Sequence, residues 1–130
     1  MAFEWKDTYL QGDTVIDAQH QHLFEIAKKL MSATEVDVVK RLTVALYRHA
    51  RIHFEYEESV MRKHHYPALA SHIEAHLTLL ERLNQVSLDR ATVDALMTDL
   101  VITHIEQEDT MFTDYVRFRQ AQRGLGVACR

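Results

Sequence analysis

ALASHIEAHLTLLERLNQV, residues 68–86, decides the fold class. Leu69, His72, His76, Leu79, Leu80 and Leu83 recur three or four positions apart, the spacing that stacks side chains on one face of an α-helix. Two histidines share that face with leucines. A polar group left unpaired on such a face costs roughly 2 to 7 kcal/mol by transfer data, so His72 and His76 need a partner that leucine cannot supply.

The pattern repeats outward from this segment. Upstream, Tyr66 and Pro67 break the chain, since proline is disfavoured inside a helix and tolerated at the first turn of the next. Before them, a long helix is expected from Thr34 or Glu35 to about His64, with an inner stripe of Leu42, Leu46, His49, His53, Glu57 and Val60. A first helix is expected from about Ala18 to Met31, with Ile16, Leu23, Ala27 and Leu30 in phase and His20 on the same stripe. His22 falls instead with Glu25 and Lys29. Downstream, Asp89 is the expected N-cap of a fourth helix running from about Arg90 to Phe118.

Three glycines and one proline in 130 residues leave too few turn formers for an all-β chain. The reading is all-α, an up-down-up-down antiparallel four-helix bundle over residues 1–118. Residues 1 to about 17, with Phe3, Trp5, Tyr9 and Gly12, form an N-terminal arm expected to pack across the bundle. Residues 119–130 are read as a C-terminal tail. A composition 47% hydrophobic and 26% charged supports one globular domain.

A net charge of −4 gives no electrostatic footprint for nucleic acid or an anionic membrane surface. No stretch is apolar enough for a membrane span, and the N-terminus lacks a secretory pattern, so a cytoplasmic location is expected. Cys129, the single cysteine, cannot form an intramolecular disulfide, in keeping with a reducing compartment.

Nine histidines are many for this length, and their placement is what matters. On a helix, positions i and i+4 lie about 40° apart around the axis and about 6 Å along it, so both can reach one metal centre. His72 with His76 and His53 with Glu57 have that spacing. One such pair is common by chance; several in phase, with His20, are not. The fourth helix offers His104 with Glu108 at i+4 or Asp109 at i+5. An i+5 residue is turned about 140° away in an α-helix, whereas a carboxylate bridging two metals need not share its histidine's direction. On spacing alone both remain open.

Imidazoles with a few carboxylates suit zinc, copper or iron; calcium and magnesium prefer oxygen ligands. A structural zinc would use four ligands and leave three of these residues idle. Two six-coordinate metals sharing two carboxylates and an oxide or hydroxide fit the set better and leave one position open for a small ligand such as dioxygen. Without a metal, a plain bundle would bury five imidazoles and two acids in one layer at high cost.

At these residues the chain resembles the hemerythrin family in its single-domain bacterial form. The resemblance spans about residues 3 to 118 and is carried by Trp5, Gly12, DAQHQHLF (17–24), HFEYEESVM (53–61), Tyr66-Pro67, HIEAH (72–76) and HIEQED (104–109). It implies the metal ligands His20, His53, Glu57, His72, His76, His104 and Asp109, choosing Asp109 over Glu108. It further implies two irons with an oxo or hydroxo bridge, spanned by Glu57 and Asp109. His72, His76 and His104 would then serve one iron, and His20 and His53 the other. The two-histidine iron would carry the open position, where dioxygen binds reversibly for storage or for delivery to an oxygen-consuming partner. No substrate is consumed, so the chain is not expected to be an enzyme. Leu100 and Phe112 depart from the Trp and Tyr that relatives commonly carry there, which bears on pocket polarity and hence on oxygen affinity and autoxidation. Val101 falls at an apolar pocket position.

His49, one turn before His53, reads as a hydrogen-bonded core histidine rather than an eighth ligand. His64 and His65 suit a helix C-terminus. Met31, Met61, Met97 and Met111 read as core fillers, and Arg117, Arg119 and Arg123 as a solvated end. Two other functions compete. An oxygen- or redox-sensing module would need a domain to receive its signal, and none is expected within these residues. A di-iron oxidase or iron-handling bundle would build its site from Glu-x-x-His pairs, which this sequence lacks.

Overall fold

The computed structural model describes residues 3–85 and 89–124; Val86, Ser87, Leu88 and Cys129 lie outside the described residues. Among the described residues there are four helices and no strand, as expected. Helix α1 is Thr14–Ser32, α2 is Val36–Lys63 and α3 is Leu69–Asn84. The fourth helix covers residues 90–124 in sections: α4 (Arg90–Met97), π-helical turns at Thr98–Thr103 and Ile105–Asp109, and α5 (Thr110–Gly124).

α1 begins four residues earlier than its apolar stripe indicated, because Asp13 caps it. The Asp13 carboxylate accepts hydrogen bonds from the amides of Val15 (2.9 Å) and Ile16 (3.0 Å), groups the helix itself leaves unpaired. Asp17 holds the incoming arm, accepting from the amides of Gln11 (2.7 Å) and Gly12 (3.2 Å). Asp89 caps the fourth helix as expected, accepting from the Thr92 amide. That helix does not stop at Phe118 but runs to Gly124, so the segment read as tail from residue 119 is helical for its first turn and a half.

Contacts at the two ends fix the direction of each helix. The Arg90 guanidinium donates to the carbonyls of Leu30 (3.4 Å), Met31 and Ala33 (2.5 Å). A cation thus covers the carbonyls at the end of α1, one of which, that of Leu30, also accepts from the Ala33 amide. At the other end Thr113 meets Gln11, so α1 and the fourth helix are antiparallel. Arg82 pairs with Asp99 at 3.0 Å, while Tyr66 and Tyr115 rings touch near the opposite end, so α3 is also antiparallel to it.

Two apolar clusters fill the bundle. The larger joins Leu23, Ala27 and Leu30 of α1 to Leu46, Ala50 and Phe54 of α2, Leu79 and Leu83 of α3, and Leu96 and Met97 of α4; the smaller is Met61, Tyr66 and Phe112. Between them, along α2, α3 and the fourth helix, lie Glu57, His72 and Asp109. The arm closes over the larger cluster: Phe3 stacks on Phe24 at 4.3 Å and Trp5 meets Phe24 edge-on at 5.9 Å.

Two expected core residues are on the surface. His49 is exposed because the buried stripe of α2 runs through Leu46, Ala50, His53 and Glu57, which turns position 49 outward. Met111 is 57% exposed; the π-helical turns before it shift the phase of everything that follows. No described helix is long and apolar enough to cross a membrane.

Gly12 turns the arm into α1 at φ +88°, a conformation that costs an L-residue with a side chain roughly 1 to 2 kcal/mol. A Cβ there would meet only the end of Arg117 at 3.9 Å, so the cost is conformational. Gly12→Ala should lower the unfolding free energy by about 1 kcal/mol in urea titration, with the denaturant slope unchanged.

Candidate metal centre

All seven residues proposed from sequence meet in one buried layer. His20 comes from α1, His53 and Glu57 from α2, His72 and His76 from α3, and His104 and Asp109 from the π-helical part of the fourth helix; each is 5% exposed or less. They form two overlapping groups. Glu57, His72, His76, His104 and Asp109 make one, and His20, His53, Glu57 and Asp109 the other, each with ligand atoms within 4.8 Å of one another. Glu57 and Asp109 belong to both.

Asp109 rather than Glu108 takes part, and the backbone gives the reason. The His104 amide donates to the carbonyl of Asp99 and the Thr110 amide to that of Ile105, both spanning five residues instead of four. A turn closed by an i to i+5 bond is wider, so residue i+5 returns over residue i instead of pointing away. The threonines secure the altered turns: Thr98 Oγ1 donates to the Asp94 carbonyl at 3.0 Å and Thr110 Oγ1 to the Ile105 carbonyl at 2.9 Å.

The imidazoles turn Nε2 inward. His72 Nε2 lies 3.2 Å from Glu57 Oε1 and 3.1 Å from Asp109 Oδ1. His76 Nε2 is 3.1 Å from Glu57 Oε1, and His104 Nε2 is 3.2 Å from Asp109 Oδ1. On the other side His20 Nε2 is 3.0 Å from Asp109 Oδ2 and His53 Nε2 is 3.7 Å from Glu57 Oε2.

Outer nitrogens fix two of the rings. His53 Nδ1 lies 2.6 Å from Gln19 Oε1 and His76 Nδ1 lies 2.8 Å from Glu58 Oε2. An acceptor at Nδ1 requires the proton there and leaves Nε2 a lone pair aimed at the cluster. Sequence reasoning did not single out Gln19 or Glu58; the available signal was only that each adjoins a candidate ligand, His20 and Glu57. His20 Nδ1 has no such partner.

The donor atoms fit bound metal better than they fit one another. His20 Nε2, His53 Nε2 and both oxygens of Asp109 are buried without an aligned hydrogen-bond partner, a state that native interiors avoid. When His76 is neutral and its one proton is held toward Glu58, its other nitrogen faces a Glu57 oxygen as a lone pair, a place where a cation between the two would be held by both. Five imidazoles and two carboxylates form a set suited to iron, zinc or copper.

Electrostatics support ionised acids. Burial disfavours charge on Asp109, but His104, His20 and His72 outweigh it and hold the carboxyl well below its usual range. Glu57 is likewise lowered, against burial and the repulsion of Asp109, by His72 and His76. Burial pushes His53 down to about 4. His72 moves the other way: burial opposes its charge, but Asp109 and Glu57 prevail and raise it to about 9. His20 is also raised, Asp109 and Glu57 overcoming burial.

Two cavities approach the cluster. One, of about 10 Å³, is lined by His20, His53, His104 and Asp109 together with Leu23, Phe54, Leu100, Val101 and Ile105. The other, of about 270 Å³, opens beside the arm and reaches Glu57 and Asp109 past Ile16, Val60, Phe112 and Arg117. Leu100 and Val101 thus line the small cavity and Phe112 the large one.

Four antiparallel helices around a buried histidine–carboxylate cluster define an all-α metal-binding protein. The hemerythrin HHE cation binding domain matches residues 11–117, and the chain belongs to the hemerythrin family. It is 28% identical over 131 residues to a bacteriohemerythrin of Campylobacter jejuni, covering 88% of this chain and 95% of that protein. A bacteriohemerythrin of Clostridium acetobutylicum is 28% identical over 128 residues, covering 86% of this chain and 99% of that protein. No solved structure gives a significant match.

The shift of His72 sets a pH dependence. An unfolded histidine titrates near about 6.5, below the folded value of about 9, so the protonated ring stabilises the metal-free fold fully below about pH 6.5. That contribution is lost as the pH rises through about 9. Urea unfolding of metal-free protein should show stability falling across that interval, and His72→Gln should flatten the fall. Metal-loaded protein should not show it, because metal in place of the second proton keeps the ring neutral throughout.

Proposed function

We propose that this chain binds dioxygen reversibly at two irons joined by an oxo or hydroxo bridge, and stores it or delivers it to an oxygen-consuming partner. The observation that carries the reading is the small apolar cavity set against His20 and His53, beside a cluster that divides into two overlapping ligand sets. His72, His76 and His104 would hold one iron and His20 and His53 the other, with Glu57 and Asp109 shared. Held by these residues, an iron pair would supply two electrons to dioxygen and recover them on release.

The chain's own residues govern the rest. Leu23, Phe54, Leu100, Val101 and Ile105 give the cavity an apolar wall suited to a diatomic, beside the polar groups of His20, His53, His104 and Asp109. The cavity, of about 10 Å³, has room for one small molecule and little else. Gln19 and Glu58 hold the rings of His53 and His76 in the tautomer that ligates. A set with five neutral imidazoles and only two carboxylates provides little negative charge to support highly oxidised iron, which favours binding over turnover. The names of the two relatives agree with this reading.

Anaerobically reduced protein should contain about two irons per chain and develop a visible charge-transfer band in air that disappears on deoxygenation. A band that bleaches to an oxidised form unable to rebind oxygen would contradict reversible carriage. Leu100→Ala should open the small cavity to water and hasten loss of oxygen-binding capacity about tenfold with the iron content unchanged. An unchanged rate would remove Leu100 from the account.

A further inference from the structure

His22 and His49 stand apart from the buried cluster yet face each other across the outer groove between α1 and α2. Their Nε2 atoms are 3.4 Å apart, with the rings edge-on at 79°. Both are exposed, and a cavity of about 220 Å³ adjoins them, lined by Ala18, Gln19, His22, Leu23, His49 and Ile52. Nothing in the oxygen-binding reading uses either ring.

The separation is long for a nitrogen–nitrogen hydrogen bond, which prefers about 2.7–3.2 Å. It matches a shared metal ion: two imidazole nitrogens at about 2.0–2.1 Å from one tetrahedral ion lie about 3.3–3.4 Å apart. Nε2 is the atom each ring presents, as a ligand must. Loss of surrounding water, His22 and Arg48 together lower the affinity of His49 for a proton, so its lone pair is available at neutral pH.

We infer that His22 and His49 form a second, mononuclear site for a divalent transition-metal ion such as zinc, with the adjoining groove leaving room for water at the remaining positions. Its ligands come from two helices joined by the short turn 33–35, so a bound ion would tie α1 to α2 on the surface. Gln19 lines the same groove and accepts from His53, which puts the exposed site one side chain away from the buried centre.

The test is calorimetric titration of Zn²⁺ into the protein carrying its iron, at about pH 7.5, where free imidazole is neutral, with iron measured before and after. The expected result is one zinc per chain taken up beyond the iron, without iron loss. His22→Ala and His49→Ala should each weaken that uptake by at least about tenfold, since even removing a supporting residue behind a ligand costs that much. Both side chains are exposed, so the variants should retain the visible band and the melting temperature that the parent protein has before zinc is added. As a second readout, Zn²⁺ should raise the melting temperature of the parent protein and of neither variant. Absence of extra zinc in the parent protein, or uptake unchanged in both variants, would overturn the assignment.

Discussion

The structure depends on the burial of two ionised carboxylates at the middle of a helical bundle. Glu57 and Asp109 are each 1% exposed, and taking such groups out of water costs several kcal/mol apiece unless charge of opposite sign meets them. Imidazoles from all four helices surround the two acids, so the electrostatic requirement of one layer specifies how the helices are rotated and in what register they pack. Hydrophobic clusters on either side supply cohesion, but leucine contacts alone tolerate rotation and sliding in a way that directed Nε2 contacts do not. Protonated His72 can meet this requirement in part. The proposed metal ions would meet it while leaving the imidazoles neutral and the Asp109 oxygens engaged.

The fourth helix shows how backbone geometry answers that demand. A regular α-helix would aim Glu108 at the cluster and turn Asp109 away. π-Helical turns reverse this, and threonine hydroxyls take up the displaced carbonyls. The insertion also carries Leu100, Val101 and Ile105 to the small cavity beside His20 and His53, so the same distortion places a carboxylate and an apolar wall.

Much of this was legible in the sequence because helical phase and ligand chemistry agree: the stripes of α1 and α3 that collect leucines also collect His20, His72 and His76. Asp109 was not legible from spacing, since spacing presumes a regular helix; the resemblance to a known family supplied it. The phase error after the π-helical turns also explains Met111, read as core and found exposed. His49 was misread because its one-turn offset from His53 looks like the same face, whereas burial passes through Ala50. The early start of α1 escaped the hydrophobic pattern because it is made by the carboxylates of Asp13 and Asp17. Gln19 and Glu58 act through geometry across helices, which no local spacing encodes.

Diffraction from crystals of iron-loaded protein, measured at the iron absorption edge, tests the central claim most directly. The account predicts two anomalous peaks per chain inside the bundle, one contacted by His72, His76 and His104, the other by His20 and His53, and both by Glu57 and Asp109. A single peak, or a pair of peaks that either carboxylate fails to join, would contradict it.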